Sequence, residues 1–320
     1  MRGSEILANL ILFLIQLMLI LGLAPLVQGI IKNVKARLQF RQGPGPLQPY
    51  YDLVKYFQKD AVVSEHSSWV FRASPSVTFA AVAAAGALVP VLWTRTPFSF
   101  AGDLLAVTYL FALGRFFTAL AGLDAGSAFG GMGSSREMTV SSLVEPALLL
   151  SLFVLALTAG SGGFGEIASA IARGGSASLT LPHLLALIGF TIVAIAEMGR
   201  IPVDNPDTHL ELTMIHEGML LEFSGKHLGL ANWAAWSKQM IILAIIADVF
   251  LPWGIAAELT APALALSALI FAAKMVVLSA IFASVEASFA KMRLFKVPAL
   301  LSASFALSLL ALVFKYTVGG

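Results

Sequence analysis

The sequence predicts an all-α protein: a polytopic membrane helical bundle of about eight transmembrane helices with ordered cytoplasmic loops. Three observations predict it. Of the 320 residues, 58% are hydrophobic and only 12% charged, which is the balance of a membrane bundle rather than a soluble core. Apolar runs of about 20 residues, the length that crosses a bilayer, recur along the whole chain. These runs leave no room for a second soluble unit, so residues 1–320 read as one integral membrane domain.

Taken in order, spans are expected at 6–31, 75–95, 101–123, 138–160, 181–200, 239–258, 262–285 and 295–316. The first run is too long for the apolar core of a cleavable signal. Trp69, Trp93 and Trp253 fall near span ends, where amphipathic rings settle. Between spans one and two, Tyr50 to Phe57 places apolar residues at helical spacing and predicts a short amphipathic surface helix. Gly130-Gly-Met-Gly133 reads as a flexible turn before the fourth span; with no strand ahead of it, it is not a phosphate loop. Segment 161–180 is rich in Gly and Ser and predicts a small re-entrant or surface helix on the outer side. No internal repeat is visible, which argues against an inverted-repeat transporter.

Eight spans place both termini on one side. Lys32, Lys35, Arg37, Arg41, Lys55, Arg136, Arg200, Lys238 and Lys291 all fall on the other. Basic loops stay cytoplasmic, so the termini are expected to face outward and loops 32–74, 124–137, 201–238 and 286–294 inward. Basic residues confined between spans exclude nucleic acid as a partner. The absence of cysteine excludes thiolate-held iron–sulfur clusters and disulfides in this chain. Of the five histidines only His183 borders a span, so no pair of axial haem ligands is available. His216-Glu217 is followed by Leu220 rather than a second histidine, so the zinc-protease motif is missing and no metal site is expected.

The densest chemistry lies after the fifth span, in Glu197-Met-Gly-Arg200-Ile-Pro202-Val-Asp204-Asn-Pro206-Asp207-Thr-His209-Leu-Glu211, then His216-Glu217 and Glu222. A charge at the centre of a membrane helix costs about 2.5–3.5 kcal/mol on insertion scales, so a mere anchor gains nothing from these acids. Pro202 and Pro206 keep a regular helix from absorbing the run. Irregular backbone at that depth must face protein or a water-filled cavity. The stretch is therefore expected to line a hydrated acidic passage at the cytoplasmic face. If 207–222 is helical, Asp207, Glu211 and Glu222 share one face, and mutual repulsion raises their affinity for protons. Glu145, Arg115, Asp248, Lys274 and Glu286 fall in or at the ends of spans, where ionisable groups pair or line a path. Arg115, Arg136, Arg200, Asp248 and Lys274 are candidates for structural pairing or for the path itself. Arg41-Gln-Gly43-Pro44-Gly45-Pro46 fixes a stiff loop ahead of Asp52 and Lys55, suited to docking a soluble partner.

Together, Arg41 to Lys55 and Glu197-x-x-Arg200-x-Pro202-x-Asp204 resemble the first cytoplasmic loop and the acidic loop of the respiratory complex I membrane subunit called subunit 1 or H. Leu123-Asp124-Ala-Gly-Ser127, Gly133-Ser-Ser-Arg136-Glu137, Glu145-Pro146 and the run from Asp204 to Glu217 resemble the version in formate hydrogenlyase subunit 4 and hydrogenase-4 membrane subunits. The resemblance implies a membrane anchor and energy-coupling subunit with no redox centre of its own. Its partners would be soluble hydrogenase-like and iron–sulfur subunits, holding a nickel–iron centre and iron–sulfur clusters, and antiporter-like membrane subunits. It would reside in a bacterial or archaeal cytoplasmic membrane. In the family, the acids matching Glu145, Glu197, Asp204 and Glu211 line a polar channel, with Glu217 and Glu222 near it. Gly45 stands where the complex I loop has Asn, which points away from a quinone site. A quinone-reducing complex I-type subunit and a purely structural anchor stay open as alternatives.

Overall fold

A computed structural model describes the backbone of residues 2–94, 103–205 and 214–318, with side chains from Leu10 to Thr317 within those limits. Eleven α-helices and no strand occur among the described residues. They are α1 (Arg2–Leu38), α2 (Gln48–Gln58), α3 (Trp69–Leu88), α4 (Asp103–Asp124), α5 (Ala128–Ala159), α6 (Phe164–Gly174), α7 (Leu181–Glu197), α8 (His216–Leu220), α9 (Gly225–Ile245), α10 (Ala261–Ser288) and α11 (Val297–Val318). Seven of them, α9 being counted on to Phe250, are long and apolar enough to cross a membrane. An eighth is reached if α6 and α7, bent 119° apart, count as one broken span.

Helix α9 is the axis of the bundle. Its apolar window is 78% buried, against 22% for α10 and 28% each for α1 and α11, which turn their large aliphatic side chains outward. It packs on α1, α2 and α3, while α5 is flanked by α4, α7 and α11. The expected sixth span, 239–258, is corrected at both ends. The helix starts at Gly225 and closes in a π-turn, Ile246–Phe250. Lys226, His227, Asn232 and Lys238 hide its first turns from a hydropathy reading, yet Trp233 and Leu228 anchor them. Beyond Phe250 the chain is irregular, and Ala256 bridges to Trp93, which is buried.

A proline leaves a carbonyl that the fold reuses. Pro25 inside α1 cannot donate to Leu21 O, and the Trp233 indole donates to that oxygen at 2.9 Å instead. The neighbouring Gly22 O accepts from the Tyr50 hydroxyl. These two bonds tie α9 and α2 to neighbouring carbonyls of α1. The glycine–proline loop folds back along α1, where Asn33 Nδ2 donates to Pro44 O at 2.8 Å. Gly130-Gly-Met-Gly133 is helical, not a flexible turn. A Cβ on Gly130 would lie 2.3 Å from Gly122 O, and one on Gly133 would lie 2.9 Å from Ile215 O. The glycines serve close backbone approach.

Candidate functional site: buried charges between two water-accessible cavities

Arg115, buried on α4, is the hub. Its Nη2 donates to both oxygens of Glu197 at 2.6 and 2.8 Å, its Nη1 to Glu145 at 2.9 Å, and its Nε lies 3.6 Å from Glu137. Lys238 of α9 closes the other side of Glu197 at 2.8 Å, with its ammonium 5.8 Å from the Phe111 ring centroid. Glu137 and Glu145 stand about two turns apart on α5 and reach the same guanidinium. Glu197 is sealed, its side chain 2% exposed, whereas Glu145 is 33% exposed.

The chain then reverses. Gly199 has φ +61°; its N–H donates to Ala196 O and the N–H of Arg200 to Ile195 O, both at 3.0 Å. This is the left-handed helix stop that a glycine favours. Glycine, rather than Pro202, ends α7. The reversal sends Glu197 and Arg200 to different cavities. The first, holding about 70 Å³ of space open to water, is lined by Arg115, Glu137, Glu197 and Lys238 with apolar neighbours such as Phe111 and Met219. The second, about 370 Å³, is lined by Gln28, Lys32, Asp52, Tyr56, Arg200, Asp204 and Glu217. A single water needs about 10–15 Å³, so both can be wet. Met198, Gly199, His216, Leu220 and Ala235 line both cavities and form the partition between them.

Arg200 donates to Gln28 Oε1 and, at 2.6 Å, to Gln239 Oε1, and lies 3.5 Å from Glu286; Lys35 holds the other oxygen of Glu286 at 3.1 Å. Asp204 accepts from Lys291 Nζ at 2.7 Å, from the Asn205 amide at 2.8 Å and from the amides of Ile215 and His216 at 3.3 and 3.0 Å. The last two bonds cap α8. Met214 and Ile215 are not helical and α8 ends at Leu220, so no continuous helix carries Glu222 together with the upstream acids. Glu222 is exposed on the surface. Asp207, His209 and Glu211 lie outside the described residues. Burial pushes the Glu217 carboxyl above its ordinary range; Asp204 pushes it the same way, against His216, Arg200 and Lys32. Burial, with Asp52 and Glu217, likewise pushes up the Tyr56 phenol.

The residues that the sequence singles out therefore separate into groups. Arg115 and Glu197 line the first cavity, with Glu145 held on the far side of the Arg115 guanidinium, and Arg200, Asp204 and Glu217 gather at the second. Asp248 and Lys274 pair at 2.9 Å near the far end of α9. Among the described residues Arg136 pairs with no carboxylate; its Nη1 donates to Met214 O at 2.9 Å. In the proposed docking segment Arg41 and Lys55 are exposed, while Asp52 turns into the second cavity. The parts played by Glu137, Lys238, Lys35 and Lys291 escape sequence reasoning. Lys238 and Lys35 read as loop cations because they flank apolar runs, and Lys291 pairs across 87 residues, a distance no sequence pattern carries.

At least seven membrane-length helices around ion-paired carboxylates define an integral membrane protein with paired charge inside its bundle. The family model described as NADH dehydrogenase matches residues 10–316, and the chain belongs to that family. It is 38% identical over 300 residues to formate hydrogenlyase subunit 4 of Escherichia coli (strain K12), covering 94% of this chain and 96% of the relative. It is also 38% identical over 304 residues to hydrogenase-4 component C of the same strain, covering 95% of each. The H subunit of the NADH-quinone oxidoreductase of Rubrobacter xylanophilus is 29% identical over 244 residues, covering 73% of this chain and 72% of the relative. The fold matches a chain of the membrane-bound sulfane sulfur reductase, an archaeal respiratory membrane complex, with a TM-score of 0.81 over 96% of this chain and 99% of that one, at 23% identity.

Proposed function

We propose that this chain is the membrane anchor and energy-coupling subunit of a nickel–iron hydrogenase or formate hydrogenlyase-type complex. It links electron transfer in a soluble arm to movement of protons or sodium ions. One observation carries the reading: the Glu145–Arg115–Glu197–Lys238 network opens on one water-accessible cavity, which shares a wall with a second holding Arg200, Asp204 and Glu217. Buried carboxylates in contact with confined water exchange protons along hydrogen-bonded chains, and a change of charge nearby alters their proton affinity. The nickel–iron centre and iron–sulfur clusters belong to the soluble subunits, and antiporter-like subunits carry ions onward. The membrane is the bacterial or archaeal cytoplasmic one, with the termini outward. The relatives named for formate hydrogenlyase and hydrogenase-4, both closer in identity than the quinone oxidoreductase subunit, support the hydrogenase side.

Glu145→Gln tests this in the assembled complex. Its partly exposed carboxyl can lose its charge while Glu197 still holds Arg115. The expected outcome is ion translocation in proteoliposomes reduced tenfold or more, with subunit stoichiometry unchanged. Unchanged translocation refutes the path. Lost assembly with normal translocation in the residual complex makes the network a structural anchor instead.

A further inference from the structure

Helix α9 ends in a device that the inner-face network does not use. In the π-turn Ile246–Phe250 the Leu251 amide donates to Ile246 O at 3.2 Å, one residue further back than an α-helix would reach. Ala247 O is thereby left without its α-helical donor. Leu251 O lies past the helix end, where none is due. Both oxygens point at Lys274 Nζ, which donates to Ala247 O at 2.7 Å, Leu251 O at 2.8 Å and Asp248 Oδ1 at 2.9 Å. An ammonium has three donors, and all three are used here. Asp248 is buried, and its Oδ2 has no hydrogen-bond partner among the described residues.

We propose that the π-turn and Asp248 form a monovalent-cation site, filled in this chain by the tethered ammonium of Lys274. Carbonyl oxygens that replace a hydration shell, with a single carboxylate to balance one positive charge, are the ligands a sodium or potassium ion takes. The cage carries one negative charge, so a divalent ion would leave a buried excess. Lys274 enters from α10, a helix mostly turned outward, and its side chain is 21% exposed. The site shares no residue with the inner-face network. Lys238 and Asp248 are ten positions apart, about 15 Å along α9, and Met240 to Ala247 between them are apolar and buried. Failure of one reading therefore leaves the other standing.

The test uses the full chain in lipid nanodiscs and compares NaCl and KCl with choline chloride at equal ionic strength, choline being too large to enter. In Lys274→Ala the thermal midpoint is expected to rise with the logarithm of Na⁺ or K⁺ concentration above the choline control. The unaltered chain should show no such difference, and Lys274→Ala with Asp248→Asn should lose it. Equal response of Lys274→Ala to all three salts overturns the proposal. Should Lys274→Ala fail to fold in choline chloride, recovery of folded chain in NaCl or KCl supports the site. Failure to recover there, and in the milder Lys274→Ser, overturns it.

Discussion

Glu197 and Glu217 stand twenty positions apart and are treated in opposite ways. Glu197 is sealed beside two cations, so its charge is compensated where bulk solvent does not reach. Glu217 is partly buried against the second cavity and forms no salt bridge among the described residues. Its carboxyl binds protons more tightly in the folded chain than in the unfolded one, where the ordinary value is 4.5. The sign follows from linkage: protonation favours the fold, so this residue's contribution to stability is lost as pH rises from that value through the raised one. Glu217→Gln should flatten the fall of the thermal midpoint over that window, read by melting the chain at stepped pH. An unchanged slope would show that Glu217 does not titrate there. The richness of acids after span five was legible in the sequence. Which of them would be neutralised by pairing was not, because Arg115 and Lys238 arrive from helices 82 and 41 residues away in sequence.

At the scale of elements, α5 shows where reading by composition fails. Three glycines ahead of an apolar run predict flexibility, but here two of them, Gly130 and Gly133, let α4 and the start of α8 approach the helix backbone. Gly133→Ala places a methyl 2.9 Å from Ile215 O and 3.1 Å from the Met219 amide, both backbone atoms that cannot rotate away. Overpacking of this kind costs about 1–3 kcal/mol. The expected result is a lower thermal midpoint together with loosened α8, read as faster amide exchange at Met219 and Leu220. Gly131→Ala, whose Cβ meets nothing within 4 Å, should leave both unchanged. The π-turn was equally illegible. It follows from packing around Lys274 and from Pro252, which cannot extend the helix, rather than from any local preference of Ile-Ala-Asp-Val-Phe.

For the whole molecule, the count and order of spans were readable because bilayer length imposes a period that composition must satisfy. Sidedness is a prediction from charge alone, and the cysteine-free sequence makes it simple to check. Phe40→Cys and Phe295→Cys, at positions 99% and 94% exposed, should react with an impermeant maleimide only from the cytoplasmic side; Glu258→Cys should react only from the other. The reverse pattern would invert the orientation. The cluster around Arg115 has one more consequence at this scale. Three carboxylates, Glu137, Glu145 and Glu197, face two cations, Arg115 and Lys238, so with every group ionised the assembly is left one positive charge short of neutral. In that state a bundle otherwise insulated by hydrocarbon carries a deficit of a single unit, and whatever makes it good must arrive as a small cation.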